Sequence, residues 1–271
     1  MVRVVIVGAT GRMGRTLVAC ARQMPGVVIV GAVDRGDNPS IGRDVGELAG
    51  IGPIGVQVVG ELASALADGA ADVIVDFSDP ASTAANLAAA ASARVAALVG
   101  TTGLPDGIES HATRASAVVP VMLASNTSLG GTLLTALVRE CARLLPEDFD
   151  IEIVEAHHRH KKDAPSGTAL TLGKAAAEGR GSEFSQVAVM GRAGVSPRQV
   201  GEISFAVVRG GDIVGEHDVI FAGTSEKVTL SHQATDRAVF ARGALQAARW
   251  LAGRPAGRYG MSDFISLKTS G

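Results

Sequence analysis

Aromatic side chains are scarce in this chain, with one tryptophan, one tyrosine and seven phenylalanines among 271 residues. Scarcity on that scale argues against base-stacking platforms for single-stranded nucleic acid. There are only two cysteines, Cys20 and Cys141, far apart in apolar helical patterns. They read as small core residues in a reducing compartment and not as a disulfide or metal pair. Neither sign of charge dominates: 25 Lys plus Arg stand against 27 Asp plus Glu, a formal net charge of −2. Such a balance gives no global attraction to nucleic acid or to a membrane surface. No apolar run reaches the roughly 20 residues of a membrane span. The opening Met1–Gly8 is too short for a signal peptide and runs directly into a glycine motif. The expectation is a soluble cytoplasmic protein with neither a nucleic-acid nor a membrane partner.

Glycine, by contrast, is placed with meaning. Val4–Val7 is a continuous β-branched run, the signature of a parallel strand buried on both faces. Gly8-Ala9-Thr10-Gly11-Arg12-Met13-Gly14 follows, and then a helical pattern with Met13, Leu17, Cys20, Ala21 and Met24 on one side, stopped by Pro25-Gly26. A second buried strand, Val27–Val33, ends at Asp34-Arg35. The spacing is G-x-x-G-x-x-G, a departure from G-x-G-x-x-G, and a glycine triplet alone is equally a tight strand-to-helix turn. Here a strand precedes it, a helix and second strand follow, and an acid stands 20 residues past Gly14. That context points to a dinucleotide whose pyrophosphate sits at a helix N-terminus. Asp34 can accept hydrogen bonds from a ribose 2′-OH, favouring NAD, while Arg35 and Arg12 can meet a 2′-phosphate, so NADH and NADPH both stay open.

Further strand patterns appear at 72–77, 95–99 and 120–124, ending respectively in Ser78-Asp79-Pro80, Gly100-Thr101-Thr102-Gly103 and Ser125-Asn126. Strands alternating with helices predict an α/β fold with a Rossmann-type parallel sheet that binds ligand at the strands' carboxyl ends. Beyond Asn126 the pattern changes. A helix spans 129–145 up to Pro146, a strand spans 151–156, and Ser166-Gly167-Thr168 opens another helix. Residues 179–197 read as a long polar loop. Strands at 202–208, 215–222 and 227–234 are punctuated by Gly210-Gly211 and Gly223-Thr224-Ser225 as hairpin-type turns, predicting an open mixed sheet. Asp236 is placed to cap a last helix to Trp250. The division expected is residues 1–125 with 235–271 as the dinucleotide-binding domain, and residues 126–234 as a second, α+β domain.

Three of the six histidines fall in His157-His158-Arg159-His160-Lys161-Lys162, between the strand and Asp163-Ala164-Pro165-Ser166-Gly167-Thr168. A solvated basic loop is normally made of Lys and Arg, whereas histidine adds proton transfer near neutral pH. Hydroxyls and N–H groups at the following helix start offer a carboxylate or phosphate cradle, although ordinary capping accounts for Ser166 by itself. The histidines could also be metal ligands, but adjacent side chains in extended backbone diverge and no carboxylate-rich partner set accompanies them. A dinucleotide sensor would keep the glycine loop and lack these acid–base groups. A two-domain dehydrogenase for another small acid is the third alternative.

With these motifs, Glu155–Lys161 and Asp163–Ala169 above all, nearly the whole chain closely resembles the 4-hydroxy-tetrahydrodipicolinate reductase (dihydrodipicolinate reductase) family. The resemblance implies NADH- or NADPH-dependent reduction of a cyclic imine dicarboxylate in diaminopimelate and lysine biosynthesis, without a metal, by a homotetramer, with residues 126–234 as the substrate-binding and oligomerisation domain. It implies catalytic roles for Lys161 as proton donor and His157 as donor or acceptor, and substrate binding by His158, Gly167 and Thr168. It implies cofactor contacts at Gly8, Ala9, Thr10, Gly11, Arg12, Met13, Asp34, Arg35, Gly100, Thr101, Thr102, Ala124, Ser125, Asn126 and Thr127. Crowding among cations would make Lys161 a readier proton donor, with Lys162 a solvated neighbour that adds field. Arg159 and His160 are either carboxylate donors or loop-holding residues. Family members often carry an aromatic residue where this chain has Thr127.

Overall fold

The β-branched runs build the first of two sheets. β1 (Val2–Val7), β2 (Val27–Val33), β3 (Val58–Val59), β4 (Val73–Asp76), β5 (Ala96–Val99) and β6 (Pro120–Leu123) pair throughout in parallel, in the order 6-5-4-1-2-3. Parallel strands need crossovers, which here carry α1 (Arg12–Arg22), α2 (Val45–Leu48), α3 (Leu62–Ala65), α4 (Thr83–Ser92) and α5 (Ile108–Ser116). Alternation divides β1 between two cores: Val4 and Ile6 enter one with Leu17 and Val18 of α1, while Val5 and Val7 enter the other with Leu87 of α4 and Ala112 of α5. Burial on both faces is why the strand is apolar at every position rather than at alternate ones. A 3-10 turn at Pro80–Ser82, capped by the Asp79 carboxylate, precedes α4.

The second sheet is built differently. α6 (Leu129–Leu144) leads to β7 (Asp150–His157), then come α7 (Gly167–Gly179), α8 (Phe184–Val187), β8 (Ala188–Val189), β9 (Ile203–Arg209), β10 (Gly215–Ala222) and β11 (Lys227–Ala234). The strand order is 11-10-7-9-8, with β7, β8 and β9 parallel and β10 and β11 antiparallel. β7 alternates strictly: Ile151, Ile153, Glu155 and His157 point inward, and Leu134, Val138, Leu172 and Phe205 share the core with its isoleucines. Burying a side chain of the size of Ile153 contributes about 2 kcal/mol. The chain closes with α9 (Ala238–Leu251), β12 (Gly257–Tyr259), which pairs parallel to β6, and α10 (Met261–Ile265).

Two sequence expectations are corrected. Gly210-Gly211 does not turn a hairpin, because β7 lies between β9 and β10 and β9 runs parallel to it. Of the two expected hairpin turns, the one between β10 and β11 is a hairpin. The stretch 179–197 is not one loop: Phe184 packs edge-on against Phe205, and β8 extends the sheet beside β9. This computed structural model describes residues 1–265, apart from the side chain of Asp68. It divides into Met1–Leu129 with the segment from Ala238, and Gly130–Arg237. Residues 266–271, assigned above to the dinucleotide-binding domain, lie outside the described residues. No helix among the described residues is long and apolar enough to cross a membrane.

Candidate active site

In the first unit the expected cofactor residues follow β1, β2, β5 and β6 at one edge of a parallel sheet. Gly8 has a φ of +77°, and a Cβ there would lie 2.5 Å from the Phe77 carbonyl oxygen. A Cβ on Gly14 would lie 2.2 Å from the Gly8 carbonyl oxygen and 2.6 Å from the Ala9 backbone. These glycines let the loop fold flat against the start of α1. α1 has no side-chain cap at Gly11 and no acid in its first turn. α2 and α7, in contrast, are capped by Asp44 and Ser166. An uncapped N-terminus after a glycine turn leaves N–H groups and a positive dipole end for an anion, so these residues fit a dinucleotide pyrophosphate.

Asp34 is not idle. Its carboxylate accepts from Thr10 N (3.0 Å) and Oγ1 (2.7 Å), from Arg35 N (2.9 Å) and from Asn38 Nδ2 (3.2 Å). Burial pushes the group up, but those hydrogen bonds outweigh it and hold Asp34 below the ordinary aspartate value. The Arg35 side chain is exposed, 3.7 Å from Asp37. Gly100 accommodates the Phe77 ring, which a Cβ would meet at 2.1 Å. Thr101 is buried and Thr102 exposed. Ala124 is buried and donates its N–H to Val99, Ser125 is exposed, and the Asn126 side chain accepts from Ser128 N. Thr127 is buried, and its hydroxyl donates to the Phe240 carbonyl at 2.7 Å, so its side chain is committed to α9.

Sequence reasoning passed over Asp76. It is fully buried at the end of β4 and accepts from Ser78 N (2.9 Å), Ser78 Oγ (2.5 Å), Asn86 Nδ2 (2.9 Å) and Thr101 Oγ1 (3.3 Å). It ties the loops after β4 and β5 together. An acid closing a strand just before Ser-Asp-Pro was the available signal.

In the second unit the basic cluster separates into inward and outward groups. His157 is buried, and its Nδ1 lies 2.5 Å from Glu155 Oε2. Glu155, 1% exposed, also takes both terminal nitrogens of Arg209 at 2.7 Å each and Ser166 N at 3.0 Å. Burial pushes Glu155 up, but Arg209, His157 and the Ser166 N–H outweigh it and keep it below the usual carboxylate range. Burial likewise lowers His157; Glu155 opposes that, and Lys161 and Arg209 add to it. His217, on β10, lies edge-on to His157 at 5.1 Å between centroids and shares a 3.1 Å hydrogen bond with Ser166 Oγ. Burial, with His157 close by, pushes His217 down to about 4.

Lys161 is not crowded by cations alone: its Nζ lies 2.9 Å from Asp163, a counterion the sequence reading ignored. Lys162 and Arg159 are exposed. His158 is half-buried with its ring 6.3 Å from that of His160, and its Nδ1 is buried without a hydrogen-bond partner. Ser166 caps α7 by accepting from Ala169 N, which leaves Gly167 exposed and Thr168 half-buried in the first turn. Thus β7 and the start of α7 bring His157, Lys161 and the Ser166–Thr168 turn into one unit. Besides Asp163, the participants that sequence reasoning missed are Glu155, Arg209 and His217. The i, i+2 spacing of Glu155 and His157 on a strand could have revealed the first.

Comparison with known proteins follows this geometry. Residues 2–127 match the family model described as "Dihydrodipicolinate reductase, N-terminus", and residues 130–265 match "Dihydrodipicolinate reductase, C-terminus". The 4-hydroxy-tetrahydrodipicolinate reductase of Chelativorans sp. (strain BNC1) is 50% identical over 265 residues, covering 97% of this chain and 95% of that relative. The enzyme of the same name from Anaeromyxobacter dehalogenans is 45% identical, covering 99% of each chain. A dipicolinate-bound dihydrodipicolinate reductase from Paenisporosarcina sp. TG-14 shares the fold, with a TM-score of 0.79 at 24% identity over 98% of this chain and 99% of its own.

Proposed function

The chain belongs to the dihydrodipicolinate reductase family and is an oxidoreductase, and we propose that its second unit protonates the substrate it reduces. The reaction is reduction of 4-hydroxy-tetrahydrodipicolinate to tetrahydrodipicolinate on the diaminopimelate route to lysine. Overall, substrate, one hydride and one proton give product and water. A bound NADH or NADPH supplies the hydride. The first unit holds that cofactor through the Gly8–Met13 turn and the N-terminus of α1, with Asp34, Arg35, Gly100–Thr102 and Ala124–Asn126 along the strand ends. Thr127 contributes backbone only, since its hydroxyl is used by α9.

Loss of the 4-hydroxyl as water gives the conjugated imine, and hydride addition to it leaves an electron-rich enamine that must take its proton on carbon, so a positioned acid accelerates the step. Lys161 donates that proton, with Asp163 holding its ammonium in place at 2.9 Å. His157 acts as the companion donor or acceptor. His158 and the first-turn residues Gly167 and Thr168 bind the substrate carboxylates, because a helix start concentrates N–H donors and positive dipole. The observation that carries this reading is the buried His157–Glu155 pair with Lys161–Asp163 at the end of β7, next in sequence to the α7 start. A basic loop with only a solvating role would not sink one histidine onto a buried carboxylate.

We extend the proposal to a cytoplasmic homotetramer formed through the second sheet. The face turned away from its core carries Val154 paired with Ala206 and Ala156 paired with Val208, and Ala206 and Val208 are exposed. Glu216 and Asp218 of β10 lie beside Ala156 and Val154 on the same face, and an exposed apolar patch edged by charge suits a self-complementary contact.

The test is to supply the cyclic hydroxy-imine with NADH or NADPH and follow oxidation of the cofactor. Turnover with at least one is expected, and none with either overturns the reading. Lys161→Ala should lower kcat by about 100-fold or more while cofactor affinity holds. An equal loss in Lys162→Ala would show that the wrong lysine was chosen.

A further inference from the structure

Glu155 has more donors converging on it than an ion pair requires. An ionised carboxylate has two acceptor sites on each oxygen and no hydrogen to give. Oε1 receives Ser166 N at 3.0 Å and one Arg209 nitrogen at 2.7 Å. Oε2 receives the other Arg209 nitrogen at 2.7 Å and His157 Nδ1 at 2.5 Å. Arginine and a backbone amide are obligate donors, so three of the four positions are fixed by groups that cannot change role. Histidine alone can carry its proton on either nitrogen, and the carboxylate admits only one choice. On the other side of the ring, Gly215 leaves space that a side chain would take: a Cβ there would come within 3.1 Å of His157 Nε2.

We propose that Glu155 is the positioning residue for His157, holding the ring as the Nδ1–H tautomer so that Nε2 carries the lone pair for the substrate. The role rests on the reading of His157 as a proton-handling residue. Arg209 and the Ser166 N–H act through Glu155: they keep it ionised and fix its plane, and Ser166 thereby joins the helix cap to the histidine. In catalytic triads a buried carboxylate orients a histidine in this way, and exchanging it for the amide costs about 10⁴-fold in kcat through the wrong tautomer. Here the amide has a determined orientation. Its oxygen is best placed at the Oε1 position, where two obligate donors meet, because the reverse flip sets its NH₂ against both of them whereas this one sets it against a single Arg209 nitrogen. Its NH₂ then faces His157, which must accept at Nδ1 and move its proton to Nε2.

The experiment uses the full chain labelled with ¹⁵N-histidine. Two-bond ¹H–¹⁵N correlation spectra distinguish the tautomers, and His157 is assigned by its missing signals in His157→Gln. Wild type should show Nδ1–H at neutral pH, Glu155→Gln should show Nε2–H, and Glu155→Asp should keep the wild-type tautomer. In parallel, Glu155→Gln should lose about 100-fold or more in kcat, with cofactor Kd unchanged within about twofold and partial recovery in Glu155→Asp. The acid limb of its pH–kcat/KM profile should also move to lower pH. The variant removes the negative charge that opposes Lys161 and Arg209 around His157, and His217 on β10 stays neutral there. An Nε2–H signal in wild type, an unchanged tautomer in Glu155→Gln, or an unchanged kcat overturns the positioning role. Wild-type turnover by His157→Gln instead overturns the reading of His157 itself, a different result from any of these.

Discussion

The glycine-loop rim of the first unit and the β7–α7 corner of the second solve opposite problems. The rim, the proposed cofactor site, is built mostly from backbone: an uncapped helix start, and glycines at positions where a Cβ would strike main chain. Its one carboxylate at the second strand's end, Asp34, is satisfied by neighbours close by in the fold. The corner instead concentrates ionisable side chains out of water and ties them to one buried acid, Glu155. A backbone-built site is lost through sterics, whereas a site built from buried charge is lost through an uncompensated group. Substitutions can pull these two modes of failure apart.

The largest effect is expected in the corner. Arg209→Leu removes the bidentate partner of Glu155 and leaves a buried carboxylate short of donors. Breaking one side of such a buried pair typically costs about 3–5 kcal/mol. The expected outcome in calorimetry is a large fall in Tm for the unit formed by Gly130–Arg237, and an unchanged Tm would break the comparison. Next comes the rim, where Gly14→Ala forces a methyl group to within 2.2 Å of the Gly8 carbonyl oxygen. Main chain cannot rotate away as a side chain can, so a loss of about 3 kcal/mol is expected, accompanied by weaker cofactor binding in titration. Cofactor affinity that survives Gly14→Ala would show that the loop is not the binding element.

The two regions were not equally legible in the sequence. The rim is local: strand, turn, helix and second strand occupy one continuous stretch, so the β-branched runs and glycine spacing disclose it. The corner depends on strand order. Arg209 reaches Glu155 because β9 lies parallel beside β7, with His157 opposite Arg209. Residues 54 apart in sequence meet through a pairing that no local pattern encodes. The expectation of a hairpin at Gly210-Gly211 put β10 beside β9 and so concealed this meeting. His217 was missed for the same reason, since it comes to Ser166 through the β7–β10 pairing. Asp76 is a different omission, local in sequence, because an acid at a strand end carries a ribose-binding expectation only after β2.

A pH dependence sharpens the comparison further. The folded-state value of His217 is depressed from 6.5 to about 4, and unfolding restores the ordinary value. Between those limits the unfolded chain binds more protons, so stability is full above about 6.5 and falls as the pH drops towards 4. The loss from this group approaches about 3 kcal/mol at the lower limit. Glu155 is depressed as well, and its contribution disappears below the ordinary carboxylate range. Tm measured from pH 7 to pH 4 should therefore decline for the second unit, and His217→Gln should flatten that decline. An equal slope in wild type and variant would show that His217 does not resist protonation in the fold.

The smallest expected effect lies at the rim and concerns cofactor choice. Both oxygens of Asp34 are already engaged by Thr10, Asn38 and the Arg35 N–H, with its hydrogen bonds holding the carboxylate ionised. A carboxylate so occupied is a weak discriminator of a ribose hydroxyl, which would have to compete with intramolecular donors. The exposed Arg35 guanidinium, only 3.7 Å from an equally exposed Asp37, is held by little and can turn to a phosphate. Arg35→Ala should then raise the KM for NADPH about fivefold, the scale of one solvent-exposed charge contact, and leave that for NADH within about twofold. Asn38→Ala should do the reverse and improve NADH slightly, because it frees one oxygen of Asp34 for the ribose. If Arg35→Ala raises both constants alike, the arginine shapes the loop instead of reading the phosphate, and the rim is backbone-built even in its selectivity.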